Sequence, residues 1–216
     1  MAVVIIGAGD HARVLLDGLR AAGTEVAAFV QPTSELDVGQ EVSGVRVVGS
    51  LDRQDVWLPE IAATEFVVGI GDNKARADAF GRALAIGLRP IRMIHPSAIV
   101  LGGAEIGIGS QVCAGAVVGV DARIGEDVIV NTMASVDHDV VIGDHAFLAP
   151  GVRLAGRVTV GAGARIGIGA AIREGVSVGP SSTVAAGAVV LRDVPASTRV
   201  AGVPARSMDE PPHPED

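Results

Sequence analysis

IGIGSQ VCAGAV VGVDAR IGEDVI VNTMAS VDHDVV IGDHAF LAPGVR LAGRVT, residues 106 to 159, is a run of six-residue units that each open on a branched aliphatic side chain. The spacing extends outward without an insertion from Ile94 to Pro195, and the first place of every unit from Ile94 to Val190 is Ile, Val or Leu. Four residues later stand only Ala, Ser or Val, from Ala98 through Ser110, Val128 and Ala146 to Val194. Self-similarity at a fixed period marks a solenoid, in which a unit buries its apolar face only by stacking on its neighbours. Six residues are too few for a helix–turn–helix unit but suffice for one short strand and a turn. Three units then form a triangular coil of a parallel β-helix, aliphatic column inward and small column at the corners. The run amounts to just under six coils, a rise of roughly 27 Å at the ~4.8 Å spacing of paired strands. Glycine recurs at the second place (Gly107, Gly125, Gly143) and at the fourth (Gly109, Gly115, Gly151), positions suited to positive φ or close backbone approach.

At 216 residues the chain has room for one or two domains. It is 49% hydrophobic but only 2% aromatic, so the core is built from Val, Ile and Ala, as a β-helix requires. A net charge of −8 tells against nucleic acid as a partner, yet leaves anionic small ligands open to backbone N–H groups and a few arginines. The single cysteine, Cys113, lies beside an inward position and reads as a packed thiol, with no disulfide possible within the chain. Without a basic leader or a membrane-length apolar run, the expectation is a soluble cytoplasmic protein with no membrane partner.

Residues 1–93 carry no hexad. They read as a strand 2–6, a helix 11–22, a strand 25–30, a short strand 45–48, a strand 66–70 and a helix 73–86, a small parallel α/β domain. The solenoid is expected over 94–195, and 196–216 is a C-terminal tail, Pro-rich and acidic after Arg206 and expected to be disordered there. The first turn, Gly7-Ala8-Gly9-Asp10-His11-Ala12, matches the G-x-G-x-x-A dinucleotide fingerprint of Rossmann-like domains, where backbone meets a diphosphate at a helix N-terminus. NAD would need an acid at the end of the second strand, where Gln31-Pro32 stands, so another nucleotide-like or phosphorylated ligand fits better. A second turn, Gly69-Ile70-Gly71-Asp72-Asn73, is expected at the same sheet edge.

The solenoid's chemistry centres on Val136-Asp137-His138-Asp139, where a carboxylate neighbour can fix the tautomer of His138 and raise its basicity. A zinc site needs three converging ligands, and His138 and His145 fall at different hexad places, on different faces of the triangle. No metal is expected.

These features resemble the hexapeptide-repeat sugar acetyltransferases of the sialic acid and nucleotide-amino-sugar type. The resemblance rests on Gly7–Ala12, Gly71-Asp72-Asn73, Ile94-His95-Pro96-Ser97-Ala98, Asn131-Thr132, Val136–Asp139, Leu154-Ala155-Gly156 and Gly202-Val203-Pro204-Ala205-Arg206. It implies a Rossmann-like N-terminal domain followed by a left-handed parallel β-helix, assembled as a homotrimer. It implies His138 as general base, Asp139 as the acid that raises its basicity, and direct transfer from acetyl-CoA without a metal. Gly9, Asp10, His11, Gly71 and Asn131 match positions that meet the nucleotide-sugar; Phe147, Ile168 and Ala186 match coenzyme contacts. Three places depart from the family pattern: Asp10 replaces a second glycine, Gln31-Pro32 an acidic pair, and Phe147 a histidine. The implied reaction is N-acetylation of a nucleotide-linked amino sugar, 4-amino-4,6-dideoxy in type. O-acetylation of a sialic acid-like sugar, a metal hydrase of the γ-carbonic anhydrase type and a non-catalytic sugar-binding scaffold are the other readings.

Overall fold

The computed structural model describes residues 2–33, 38–61 and 63–208. The N-terminal elements are β1 (Ala2–Ile6), α1 (Asp10–Ala21), β2 (Val26–Gln31), β3 (Glu41–Val42), β4 (Val45–Ser50), α2 (Gln54–Ile61), β5 (Ala63–Val68), α3 (Asn73–Ala85) and β6 (Arg89–Pro90). They form one sheet in the order β3-β4-β2-β1-β5-β6, parallel except for the β3–β4 pair. Because β1 lies between β2 and β5, the loops leaving β1 and β5 emerge side by side at the C-terminal edge, where open α/β sheets bind ligands.

Strands β3 and β6 and helix α2 are absent from the sequence expectation, and β5 runs over 63–68 instead of 66–70. Helix α2 carries Pro59 and little amphipathic signal; it forms because Trp57, fully buried, packs on Gly49, where an added Cβ would stand 2.7 Å from the indole. Strand β5 ends at Val68 and not at Ile70, since Gly69 already begins the turn.

The rest is a left-handed parallel β-helix of three walls. The first wall opens at Met93–Ile94 and climbs through Gln111–Val112, Ile129–Val130, Phe147–Leu148, Arg165–Ile166 and Thr183–Val184. The second runs from Ile99–Val100 to Val189–Val190, the third from Glu105–Ile106 to Ser177–Val178. The aliphatic column is buried inside from Val112 to Val190, each side chain contributing ~1.5–3 kcal/mol over exposure.

The six-residue register holds only to Val190. Val194 bridges Val178 and Arg199 pairs with Thr183, both two residues ahead of the period. Val194 is therefore buried on the third wall in an inward place, not in the small column. Strand Arg199–Ala201 extends the first wall and Arg206–Ser207 folds back on it antiparallel, so part of the expected tail belongs to the solenoid. The acidic stretch 209–216 lies outside the described residues.

The two glycine columns have different causes. Every fourth place from Gly103 to Gly187 has positive φ, occupied where glycine is absent by Asp121, Asp127, Met133, Asp139, His145, Arg157 and Ser181. None of these is β-branched, as the left-handed region demands. Second-place glycines lack positive φ and are needed for proximity: a Cβ on Gly143 would stand 2.6 Å from the nitrogen of Ala162 in the next coil.

The sheet domain docks on the first wall through buried polar groups. Arg76 of α3 is fully buried; its Nε donates to Asp127 Oδ2 at 3.1 Å, and its terminal nitrogens donate to Asn73 Oδ1 and the carbonyls of His145 and Ala146. His145 Nδ1 meets the same carboxylate oxygen at 2.9 Å. Asn73 Nδ2 donates to the carbonyls of Gly163 and Ala164.

Candidate active site

Gly7, with φ of 97°, turns the chain after β1, and an added Cβ would press on Ile70 at 3.1 Å. Ala12 packs so closely on Gly69 that any Cβ at 69 would stand 2.6 Å from its own. Helix and strand thus hold the two turns side by side around a cleft of about 490 Å³, lined by Gly9, Asp10, His11, Gln31, Ile70 and Gly71. Gly9 caps α1 without a side-chain bond, leaving first-turn N–H groups for a ligand. Asp10 brings a charge of the opposite sense to that end, but it pairs with Arg13 at 2.6 Å and both are largely exposed. The carbonyl of Gly71 accepts from Arg165, which lies 4.3 Å over the ring of Phe147.

His138 sits on the corner between the second and third walls. Its Nδ1 is 2.8 Å from Asp139 Oδ2, and its backbone N–H donates to Asp137 Oδ1 at 2.7 Å. Asp139 holds the positive-φ place of this hexad, at 58°. Its hydrogen bond outweighs desolvation and, with the charges of Asp137 and Asp139 helping and Arg157 opposing, raises the imidazole pKa above 6.5. A carboxylate can only accept, so Nδ1 carries the hydrogen and Nε2 holds the free lone pair. The ring lies over Gly156 of the next coil, where a Cβ would stand 2.5 Å from Nε2 and 2.6 Å from Cε1.

Within one chain the predicted residues fall at four places. Gly9, Asp10, His11 and Gly71 share the sheet-edge cleft. A neighbouring cleft of about 580 Å³, which Asp10 also lines, reaches Cys113 and Thr132. Asn131, Ile168 and Ala186 lie on the corner between the first and second walls, Ile168 58% exposed. Asn131 Oδ1 accepts from the N–H of Thr132 at 2.8 Å. Phe147 is 7% exposed, on the first wall beneath Arg165. His138 stands at the far edge of the second wall and is not brought to either cleft. Burial pushes the Cys113 thiol up to about 12, so it offers no thiolate. Among the described residues no group of three or more His, Cys, Asp or Glu is placed to hold a metal ion, and no helix is long and apolar enough to cross a membrane.

Sequence reading missed Arg76, Asp127 and Gln111. Arg76 carries a signal, a lone cation on the stripe of α3 that buries Ala79, Phe80 and Ala83. Asp127 and Gln111 carry none, since outward solenoid places are ordinarily polar.

Comparison with known proteins accounts for this pairing of domains. Residues 2–83 match the PglD N-terminal domain and residues 121–156 the bacterial transferase hexapeptide (six repeats). PerB from Caulobacter crescentus, solved in complex with CoA and GDP-perosamine, is 42% identical over 96% of this chain and 97% of its own, with a TM-score of 0.90. The chain belongs to the hexapeptide-repeat sugar acetyltransferase family. Also similar are the acetyltransferase domain of PglB from Neisseria gonorrhoeae FA1090 in complex with acetyl coenzyme A (35% identity, 96% and 98% coverage, TM-score 0.87) and WeeI from Acinetobacter baumannii AYE (25%, 96% and 100%, 0.85). Comparison with curated proteins gives no match. As an acetyltransferase of this family, the chain keeps both of its parts, the glycine-rich cleft and the histidine-bearing coil.

Proposed function

We propose that the protein transfers acetyl from acetyl-CoA to the amino group of a nucleotide-linked 4-amino-4,6-dideoxy sugar in the cytoplasm. The observation that carries this is the His138–Asp139 pair, with Nδ1 committed to the carboxylate and Nε2 free, in a chain similar end to end to an enzyme solved with CoA and GDP-perosamine. In the forward step the sugar amine attacks the thioester carbonyl, its proton passes to Nε2 of His138, and the C–S bond breaks to release CoA. Asp139 stabilises the imidazolium so formed. Gly9, Asp10, His11 and Gly71 hold the nucleotide-sugar, Asn131 lies near the reacting centre, and Phe147, Ile168 and Ala186 line the coenzyme's path.

Because the base and the binding clefts occupy opposite edges of the second wall, the reaction is assigned to the junction of two copies in a homotrimer. What supports this is that most of the coil's exposed apolar residues, among them Ile99, Leu101, Val120, Met133, Ile168 and Leu191, lie on that wall or its two corners, against Ile94, Ile108 and Val141 elsewhere. Threefold packing covers them and sets the His138 corner of one copy against the Asn131 corner of the next. Sedimentation equilibrium checks this, and a monomer with full activity would refute it.

Two predictions arise here. The acidic limb of the kcat/KM profile reports protonation of the free base, so it lies above pH 6.5 in the wild type. Asp139→Asn removes the interactions that hold the pKa up and moves that limb to lower pH; an unmoved limb would detach Asp139 from the base. Gly156→Ala inserts its methyl into the imidazole, a side chain able to swing away, so thermal stability changes little. Turnover then falls by about 10²-fold, the cost of misplacing a reacting group by ~1 Å, as a steady-state assay beside a melting curve would show.

A further inference from the structure

Gln111 projects from the first wall and is fully buried between the two domains. Its Nε2 donates to the carbonyl of Val68 at 2.7 Å, and a carbonyl oxygen can only accept. The amide is thereby oriented, and its Oε1 faces His11 Nε2 at 2.8 Å. An amide oxygen also only accepts, so His11 Nε2 must carry the hydrogen. The remaining ring nitrogen, Nδ1, then holds a lone pair in the neutral ring, and among the described residues it has no partner. His11 lines the cleft between the glycine-rich turns.

We infer that Gln111 is a positioning residue which locks His11 as an Nε2–H imidazole, so that the cleft presents a neutral hydrogen-bond acceptor to a hydroxyl or N–H of the nucleotide-sugar. Burial favours the same state, holding the His11 pKa below 6.5, with the positive Arg76 adding to the effect and Gln111 opposing it. The diphosphate is left to the helix N-terminus and its backbone N–H groups. A cationic His11 would bind the diphosphate through charge; a neutral acceptor instead selects for a donor at one place on the ligand. This inference rests on the proposed nucleotide-sugar site for its ligand, but the tautomer itself does not.

Histidine-labelled ¹⁵N spectra of the full chain, with His11 assigned by the signal missing in His11→Asn, test the lock directly. A single neutral Nε2–H tautomer is expected in the free protein, giving way to a tautomer mixture in Gln111→Met. An Nδ1–H tautomer, or a signal unchanged in Gln111→Met, would overturn the assignment. Kinetics with GDP-perosamine and acetyl-CoA test its consequence. His11→Gln keeps a donor at the Nε2 place but has nothing at Nδ1, and is expected to raise KM for the nucleotide-sugar about tenfold, as for one lost hydrogen bond. His11→Asn places an amide oxygen near Nδ1 and is expected to raise it less. Equal rises, or the reverse order, would sink the acceptor role. Absence of acetyl transfer by the wild type with any nucleotide-linked amino sugar would instead remove the proposed function, while the spectra still decide what Gln111 does.

Discussion

His138→Ala is expected to lower acetyl transfer by ~10²–10⁴-fold, the usual contribution of a positioned general base. The fall should appear in kcat, with KM for acetyl-CoA and nucleotide-sugar changed far less, because no predicted binding residue in its own chain touches this ring. The fold should be unaffected: the side chain is 45% exposed, its backbone bonds remain, and removing it opens no cavity in the aliphatic core. Thiol release measured against wild type with the same nucleotide-sugar checks this, and activity within tenfold would take His138 out of the mechanism. Rescue should fail at every pH, unlike the displaced profile of Asp139→Asn, since Ala offers no group to titrate.

Asp127→Ala carries the largest expected effect on stability. Asp127 and Arg76 are both fully buried, and the change leaves the guanidinium in the docking interface with no counter-charge, a loss of ~3–5 kcal/mol. Asp127 also occupies a positive-φ place, at 51°, so Asp127→Gly separates the causes. Glycine suits that backbone but lacks the carboxylate, and it should remain strongly destabilised. Adding Arg76→Met to Asp127→Ala should recover much of the loss, since no buried charge is then left over. Denaturant unfolding of the variants decides the matter; Asp127→Ala within about 1 kcal/mol of wild type would show that the pair contributes little. His145 adds a pH-dependent share. Its hydrogen bond to Asp127 outweighs desolvation and raises its pKa above 6.5, so this share is fully present below pH 6.5 and is lost as pH rises through the elevated folded value.

Much of this was legible in the residues themselves. A hexad with its aliphatic place filled from Ile94 to Val190 admits one coil, because each unit sees the same neighbours above and below. The Gly7–Ala12 turn announces itself through backbone demands that few residues meet. Helix α2 was not legible, since Trp57 builds it through contact with Gly49 and not through local propensity. Nor was the slip of the coil after Val190: Val194 is apolar in either register, and only its bridge to Val178 shows which place it fills. His145 lies among coil residues that look alike in sequence, yet α3 claims it for docking.

The sequence by itself determined the solenoid and the α/β domain before it, because these depend on residues at fixed short spacings; it left Asp137 and Asp139 equivalent beside His138, and the structure sets Asp139 against the ring. Only the tertiary structure decided which polar groups of the coil are buried beneath the sheet domain. Arg76 finds Asp127 fifty-one residues away and His11 finds Gln111 a hundred away, and no local pattern encodes such partners. Charge neutralisation and tautomer follow from those meetings, since a buried carboxylate or amide acts only on the group that packing delivers to it.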